Sequence, residues 1–425
     1  MYPYEKLQEW YQLQESAFYL FMPDKLLTNY QRMSEAFATY YPKVVIAYSY
    51  KTNYLPFLCQ TLHRAGAYAE VVSRLEYDLA IKLGVDPSEI IFNGPLKREQ
   101  DLIYALEQES MINLDSFTEL QTVLDYADAN QSRTIRIGLR VNIDLAKNST
   151  SPLQNGYEVS RFGFCVENGN FLAALEQLSK QSNIKVVGLH GHFSTNRSLK
   201  VYETITRELC RLANVYLQDT LLYLDVGGGM YGSLPETFPQ QEVPTYEEYA
   251  EVIGSIMQQE LGTWPNQPLL IIEPGISLVA DTLSFVCQVV DIKENRGSTF
   301  VTVDGSVHNI KPTMHPHPLP VKVIGKDERT REAIYHVVGY TCMEKDYLLC
   351  AHRGPLPQIG DFLMFSHVGA YTIVFQPPFI KERPPILALQ QDEVFTIRKR
   401  ETLSEFFPES LYVFDDRVKS MEVNR

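Results

Sequence analysis

The sequence predicts an α/β protein built as a (β/α)8 TIM-like barrel over residues 24–280, with a second, mostly antiparallel β domain assembled from residues 1–23 and 281–425. Three observations carry this. Eight short apolar runs recur from Val44 onward, each bounded by turn residues and most followed by an amphipathic stretch. Polar and charged residues gather at the C-terminal ends of those runs, where such barrels keep their chemistry. After about Ala280 the rhythm changes to β-rich runs with no long helix between them.

In order, the barrel runs are VVIAYSY ending at Tyr50, YAEVV at Val72, IIFN at Asn93, MINL at Leu114 and TIRIGLRV at Val141. They continue with KVVGLH ending at His190, LLYLD at Asp225 and LLIIE at Glu273. Between them, Leu55 to Ala65, Ser116 to Ala129 and Tyr246 to Glu260 place apolar residues three and four apart, as helices lying on a core do. Lys51, Glu70, Asn93, Asp115, Arg140, His190, His192, Gly227 to Gly229 and Glu273 fall at or just beyond strand ends. The second domain is expected from LSFVCQVVDI, STFVTVD, AIYHVVGY, DFLMF, AYTIVF and EVFTIR, with SAFYLF at 16–21 as a strand that pairs with it.

A chain of 425 residues exceeds what one hydrophobic core usually supports, so two domains are expected. With 45% hydrophobic residues it is too apolar for a disordered chain. No run is long enough for a membrane span, and MYPYEKLQEWYQLQES has no apolar segment of the signal-peptide kind, so a cytoplasmic location without membrane attachment is expected. A formal charge of −14 opposes a phosphate-tracking surface, which excludes nucleic acid and leaves a small molecule as the expected partner. Six cysteines, at 59, 165, 210, 287, 342 and 350, lack CxxC spacing, which argues against zinc or a disulfide framework. His315 and His317 sit in a Pro-interrupted loop without neighbouring acids or cysteines, so no metal site is expected.

Nine motifs in order resemble those of the fold-type III pyridoxal-phosphate decarboxylases, the alanine racemase-like family that includes the diaminopimelate and ornithine enzymes. They are AYSYKTN around Lys51, EVVSRLE from Glu70, SRFGF from Ser160, GLHGHFST from Gly188 and LDVGGGM from Leu224, then EPG from Glu273, VDGS from Val303, GYTCMEKD from Gly339 and GDFLMFSHVGAYT from Gly360. The resemblance covers nearly the whole chain. It implies pyridoxal 5'-phosphate as cofactor, held by Lys51 as an imine, with Glu273 keeping the ring nitrogen protonated so that the ring takes up the electron pair released at Cα. Racemases of this fold place an arginine near that nitrogen, so Glu273 favours decarboxylation through an aldimine and quinonoid. The resemblance further implies His192 stacked on the ring, Thr195 and Tyr371 near the phosphate, Gly275 among the cofactor-binding residues, and Glu70 and Arg140 near the imine and the phenolic oxygen. Gly227, Gly228 and Gly229 lack a Cβ, which lets backbone N–H groups approach a phosphate. Cys342 and Asp346 are expected across a homodimer interface in the partner's site, with Cys342 protonating Cα.

The sequence also departs from the family. EPGR reads EPGI, placing Ile276 where an arginine contacts the phosphate or the substrate carboxylate, and Lys311 before Pro312 replaces another arginine. Met343 stands where an acid meets the distal amine, with Glu344 one residue later. The asparagine-glycine expected after Phe379 is absent, since Ile380 and Lys381 follow it. Ile276, Cys342, Met343, Glu344, Asp346 and Tyr371 are therefore the expected substrate-binding residues, and the expected substrate is an amino acid or an amino-acid conjugate of the siderophore or antibiotic kind. Diaminopimelate decarboxylase proper, a racemase and a non-catalytic regulatory homologue are the alternatives.

Overall fold

The computed structural model describes residues 2–145, 157, 159–193, 196–235, 238 and 243–414. Its strands, in chain order, are β1 (Phe18–Phe21), β2 (Val44–Ser49), β3 (Tyr68–Val71), β4 (Ile90–Phe92), β5 (Met111–Leu114), β6 (Ile135–Asn142), β7 (Phe164–Cys165), β8 (Ile184–His190), β9 (Tyr223–Asp225) and β10 (Leu269–Ile272). They continue with β11 (Leu283–Asn295), β12 (Ser298–Val303), β13 (Val321–Ile324), β14 (Glu332–Val338), β15 (Tyr347–Pro355), β16 (Phe362–Ser366), β17 (Ile386–Gln390) and β18 (Glu393–Arg398). The chain divides into two compact units: Pro23–Thr282 with Gly369–Val374, and Met1–Met22 with Leu283–Val368 and Phe375–Arg425.

The first unit is a closed parallel barrel. Its strands run β5-β4-β3-β2-β10-β9-β8-β6, and β6 pairs back with β5. All eight apolar runs are strands, with ends within two residues of those expected, because strands buried on both faces need continuous apolar sequence. Ala47, Ile91, Val187, Tyr223 and Ile271 pack into one layer of the interior. Side chains alternate along a strand, so the next inward position lies two residues on. That places Asn93, Asp225 and Glu273 above Ile91, Tyr223 and Ile271, at the C-terminal rim.

Short loops hold the rim. The helix Arg74–Lys82 starts at Ser73, whose hydroxyl accepts from the Glu76 N–H, while Glu76 accepts from the Val72 N–H at 2.7 Å. Ser116 and Glu119 repeat the device after β5, with Glu119 accepting from the Asp115 N–H at 2.8 Å. The helix Tyr246–Leu261 opens on a full Thr245–Glu248 capping box.

The second unit is a mostly antiparallel sheet. β1 pairs antiparallel with β11 and parallel with β17, and β12 pairs parallel with β14. Its core brings Leu7 and Trp10 of the helix Tyr4–Gln14 against Phe18, Val286, Phe362 and Leu387. The run AYTIVF, expected as a strand, forms bends and turns instead. Tyr371 has φ 54°, a left-handed conformation that ends extended pairing at a non-glycine residue. The segment packs with the barrel, where the Tyr371 N–H donates to the Thr52 carbonyl and Asn53 Nδ2 donates to the Gly369 carbonyl. No helix among the described residues is long and apolar enough to cross a membrane.

Candidate active site at the barrel rim

Lys51, Glu70, Arg140, His192, Glu273 and Tyr371 line one cavity of about 690 Å³ at the strand ends. Lys51 lies in the single turn that follows β2, and its Nζ stands 2.6 Å from Glu70 Oε2. Burial alone would lower the Lys51 ammonium. The Glu70 and Glu273 charges outweigh it and hold the group above its ordinary value.

Glu273 is 2% exposed. Burial pushes its carboxyl up, but His190, whose Nε2 is 3.4 Å from Oε2, and then Lys51 outweigh that and hold it below the usual carboxylate range. Asp225, fully buried, goes the other way: burial first and the Glu273 charge second push it well above the ordinary value. The two neighbouring acids are thus pushed in opposite directions, Glu273 below and Asp225 above the usual carboxylate range. Asp225 Oδ1 accepts from the Gly227 N–H at 2.8 Å.

His192 Nδ1 accepts from the Gly228 N–H at 3.0 Å, which leaves the proton of the neutral ring on Nε2. Burial, then Lys51 and Arg140, keep this imidazole well below its ordinary value. Gly227 and Gly228 thus have a packing reason of their own beside the expected one. The N–H groups of Gly227 and Gly228 are spent on Asp225 and His192, and the missing Cβ matters because one at Gly228 would meet the Glu273 carbonyl and one at Gly227 the His192 ring. Gly229, with φ 92°, is half-exposed.

Arg140 pairs with Asp115 at 3.1 Å and lies over the Phe162 ring at 4.4 Å. Gly275 caps the short helix that Ile276 begins. Ile276, expected at the substrate, is not among the residues lining the cavity. Thr195 lies outside the described residues. His190, His192 and Glu273 bring ligand atoms within 4.8 Å of one another, a spacing that suits a cation, although the Gly228 hydrogen bond occupies one nitrogen of His192.

Asn93, expected at a strand end but without a role, belongs to this site, as do Asn113 and Asp225, for which no role was expected. The available signal was an inward polar residue in each of the apolar strand runs IIFN, MINL and LLYLD.

In the sheet unit, Cys342 and Glu344 are exposed on a turn and Met343 is half-buried. Asp346 was expected to meet substrate, but it is 3% exposed and turned into its own unit. Its Oδ1 accepts from the Val307 N–H at 2.7 Å and its Oδ2 from the Thr341 hydroxyl at 2.6 Å and the Thr341 N–H at 3.1 Å. The Asp346 N–H donates to the Met343 carbonyl at 3.0 Å, which closes the turn carrying Cys342.

The family described as "Pyridoxal-dependent decarboxylase, pyridoxal binding domain" matches residues 25–280, and its "C-terminal sheet domain" matches residues 215–369. The chain belongs to the pyridoxal-dependent decarboxylases. It is 26% identical to the diaminopimelate decarboxylase of Aquifex aeolicus over 89% of this chain and 88% of that one. It is 27% identical to a probable chloroplastic diaminopimelate decarboxylase of Oryza sativa subsp. japonica over 92% and 79%. The crystal structure of diaminopimelate decarboxylase from Helicobacter pylori complexed with L-lysine superposes with a TM-score of 0.81, at 26% identity over 98% of this chain and all of that one. The enzyme from M. jannaschii superposes with a TM-score of 0.85, at 24% identity over 96% and 94%.

This decarboxylase is thus a carboxy-lyase that acts on an amino acid and uses pyridoxal phosphate. The residues at the rim fit that cofactor. Lys51 presents a primary amine to the cavity, and Glu273 is a buried anion for which a protonated ring nitrogen is a matching partner.

Proposed function

We propose that this decarboxylase removes the α-carboxylate of an amino acid at the barrel rim, with Lys51 holding the cofactor and Cys342 of a partner subunit returning a proton to Cα. The observation that supports it most directly is the Lys51–Glu70 pair at 2.6 Å in the cavity that Glu273 also lines. Lys51 would hold the cofactor covalently through Nζ, Glu273 through its ring nitrogen, His192 against the ring face, and Gly229 and Tyr371 near the phosphate. When bound, pyridoxal phosphate supplies a carbonyl carbon for amines and a conjugated ring that accepts the electron pair left at Cα when CO₂ departs.

The chain's own residues then have distinct tasks. Glu70 takes and returns protons at Lys51 Nζ, which must lose one to act as a nucleophile. Glu273, kept ionised, stabilises positive charge at the ring nitrogen. His192, kept neutral, packs without repelling it. Cys342, exposed on the turn that Asp346 braces, is the proton donor to Cα. It belongs to the sheet unit, and in a two-fold dimer with shared sites it would come from a partner.

The substrate that fits best is an amino acid with an apolar or extended substituent, including conjugates of the siderophore or antibiotic kind, and not free diaminopimelate or ornithine. Met343 carries this reading. An ammonium facing it without a carboxylate partner would lose several kcal/mol, of the order of a buried unpaired charge. The second reading is diaminopimelate itself. It is favoured by the names of the relatives and by the L-lysine in the H. pylori structure, since lysine is what remains when diaminopimelate loses one carboxylate. Exposed Glu344 would then meet the distal amine. CO₂ release measured as kcat/KM across diaminopimelate, lysine, ornithine, neutral amino acids and conjugates decides between them. Efficient turnover of diaminopimelate would overturn the first substrate reading, and inversion at Cα without CO₂ release would overturn both.

A further inference from the structure

A line of buried side chains crosses the barrel interior beneath the cavity. Tyr223 OH donates to Asn113 Oδ1 at 2.8 Å, Asn113 Nδ2 donates to Asn93 Oδ1 at 2.9 Å, and Asn93 Nδ2 donates to Glu273 Oε1 at 2.5 Å and to Glu70 Oε1 at 3.2 Å. All three are nearly sealed from solvent, with Asn93 2% exposed, Asn113 1% and Tyr223 4%. The strands have made room for it. A Cβ at Gly138 or Gly188 would collide with the Tyr223 side chain.

The polarity of the line follows from its end. An amide nitrogen has two hydrogens, and here each carboxylate takes one. A flipped Asn93 would set its oxygen against two carboxylates and its nitrogen against the Asn113 nitrogen. Asn93 is therefore pinned by the acids, Asn113 by Asn93, and the Tyr223 hydroxyl satisfies the last acceptor. Two like charges this close in a buried rim repel, and a donor standing between them offsets that repulsion. The Asn93 amide is that donor.

We propose that Asn93, oriented by Asn113 and Tyr223, is a positioning residue that holds the Glu70 and Glu273 carboxylates in register, one on Lys51 and the other on the cofactor's ring nitrogen. This rests on the assignment of Glu273 to that nitrogen. Asn113, which does not line the cavity, is the place to test it. Asn113→Asp keeps the shape but presents an acceptor, so Asn93 turns its amide toward the new acid and its oxygen toward Glu70 and Glu273.

The experiment titrates the visible absorbance of the bound cofactor with pH and measures cofactor affinity, kcat and KM for wild type, Asn113→Asp, Tyr223→Phe, Asn93→Leu and Glu273→Gln. Asn113→Asp is expected to move the absorbance midpoint by about half a pH unit or more and to lower kcat about tenfold, with KM changed less than about threefold. Tyr223→Phe, which keeps the ring's packing, moves both in the same direction by less. Asn113→Asp adds little to Asn93→Leu, because both act through one amide. Wild-type midpoint and kcat in Tyr223→Phe and in a folded Asn113→Asp protein overturn the proposal, and Tyr223→Phe decides alone where Asn113→Asp does not fold. If Glu273→Gln shifts the spectrum while those variants do not, the line is core packing. If Glu273→Gln itself changes nothing, the ring-nitrogen assignment falls and takes this proposal with it.

Discussion

Lys51 Nζ stands 2.6 Å from Glu70 Oε2, a contact set by the pairing of β2 with β3, which brings Ser49 opposite Glu70 two residues before the lysine. Without the carboxylate a lysine leaving a barrel core would be costly. With it, the amine stays charged and aimed into the cavity.

Lys51 is accordingly the expected site of covalent cofactor attachment. Borohydride reduction of the holoenzyme followed by peptide mass spectrometry should find the pyridoxyl group on the Lys51 peptide. Lys51→Ala should lower kcat at least about a thousandfold, as loss of a covalent nucleophile does. A pyridoxyl group found only on other lysines would defeat the assignment.

Glu273→Gln keeps the size and one acceptor, able to serve Asn93, but removes the charge that faces the ring. The expected loss in kcat is about a hundredfold, the scale of losing one preorganised electrostatic contact, with KM little changed. Steady-state CO₂ release provides the measurement.

Asp225→Asn tests the buried acid pair. The folded chain holds the Asp225 proton above the ordinary value of 3.8, whereas the unfolded chain releases it near that value. The folded state thus binds more protons, and this group costs stability as pH rises through 3.8 toward its raised folded value. Asparagine keeps the acceptor for the Gly227 N–H and removes the titration. The variant should gain thermal stability relative to wild type as pH is raised from about 4 to 7. Parallel melting curves at every pH would argue against a protonated Asp225.

Shared sites predict complementation. After subunit exchange between inactive Lys51→Ala and inactive Cys342→Ala proteins, about half the dimers are mixed and each carries one intact site, so about a quarter of wild-type activity should return. Exchange confirmed by mass spectrometry without recovered activity would count against the dimer reading.

Asp346→Ala strands the Val307 and Thr341 N–H groups, at an expected cost of about 1–3 kcal/mol in denaturant unfolding. Asp346→Asn, retaining one acceptor, should recover part of it.

Much of this protein was legible in its sequence for physical reasons. Apolar runs such as LLII and VVIA must be buried on both faces, and the polar residues ending them must open onto the rim, so the barrel and the places of Lys51, Glu70, His192 and Glu273 follow from a one-dimensional pattern. Backbone conformation was less accessible. AYTIVF has strand composition, yet the left-handed Tyr371 and its hydrogen bonds to the barrel turn it into a loop, and β13, β15 and β17 carried too weak an alternation to be read.

Only the tertiary structure decided how side chains pair. Asp346 has the residue type of a substrate ligand, but the proximity of Val307 and Thr341 makes it a brace. The glycines after β9 look like a phosphate cradle, but Asp225 and His192 claim two of their N–H groups. Tyr223, Asn113, Asn93, Glu70 and Glu273 come from five strands or strand ends far apart in the chain. The sequence marked Glu70, Asn93 and Glu273 as strand-end polar residues, while Asn113 and Tyr223 are polar residues inside apolar runs. Which hydrogen-bonds to which was settled when the barrel closed, because a hydrogen bond depends on ångström-scale register between strands, and that register is a property of the whole ring.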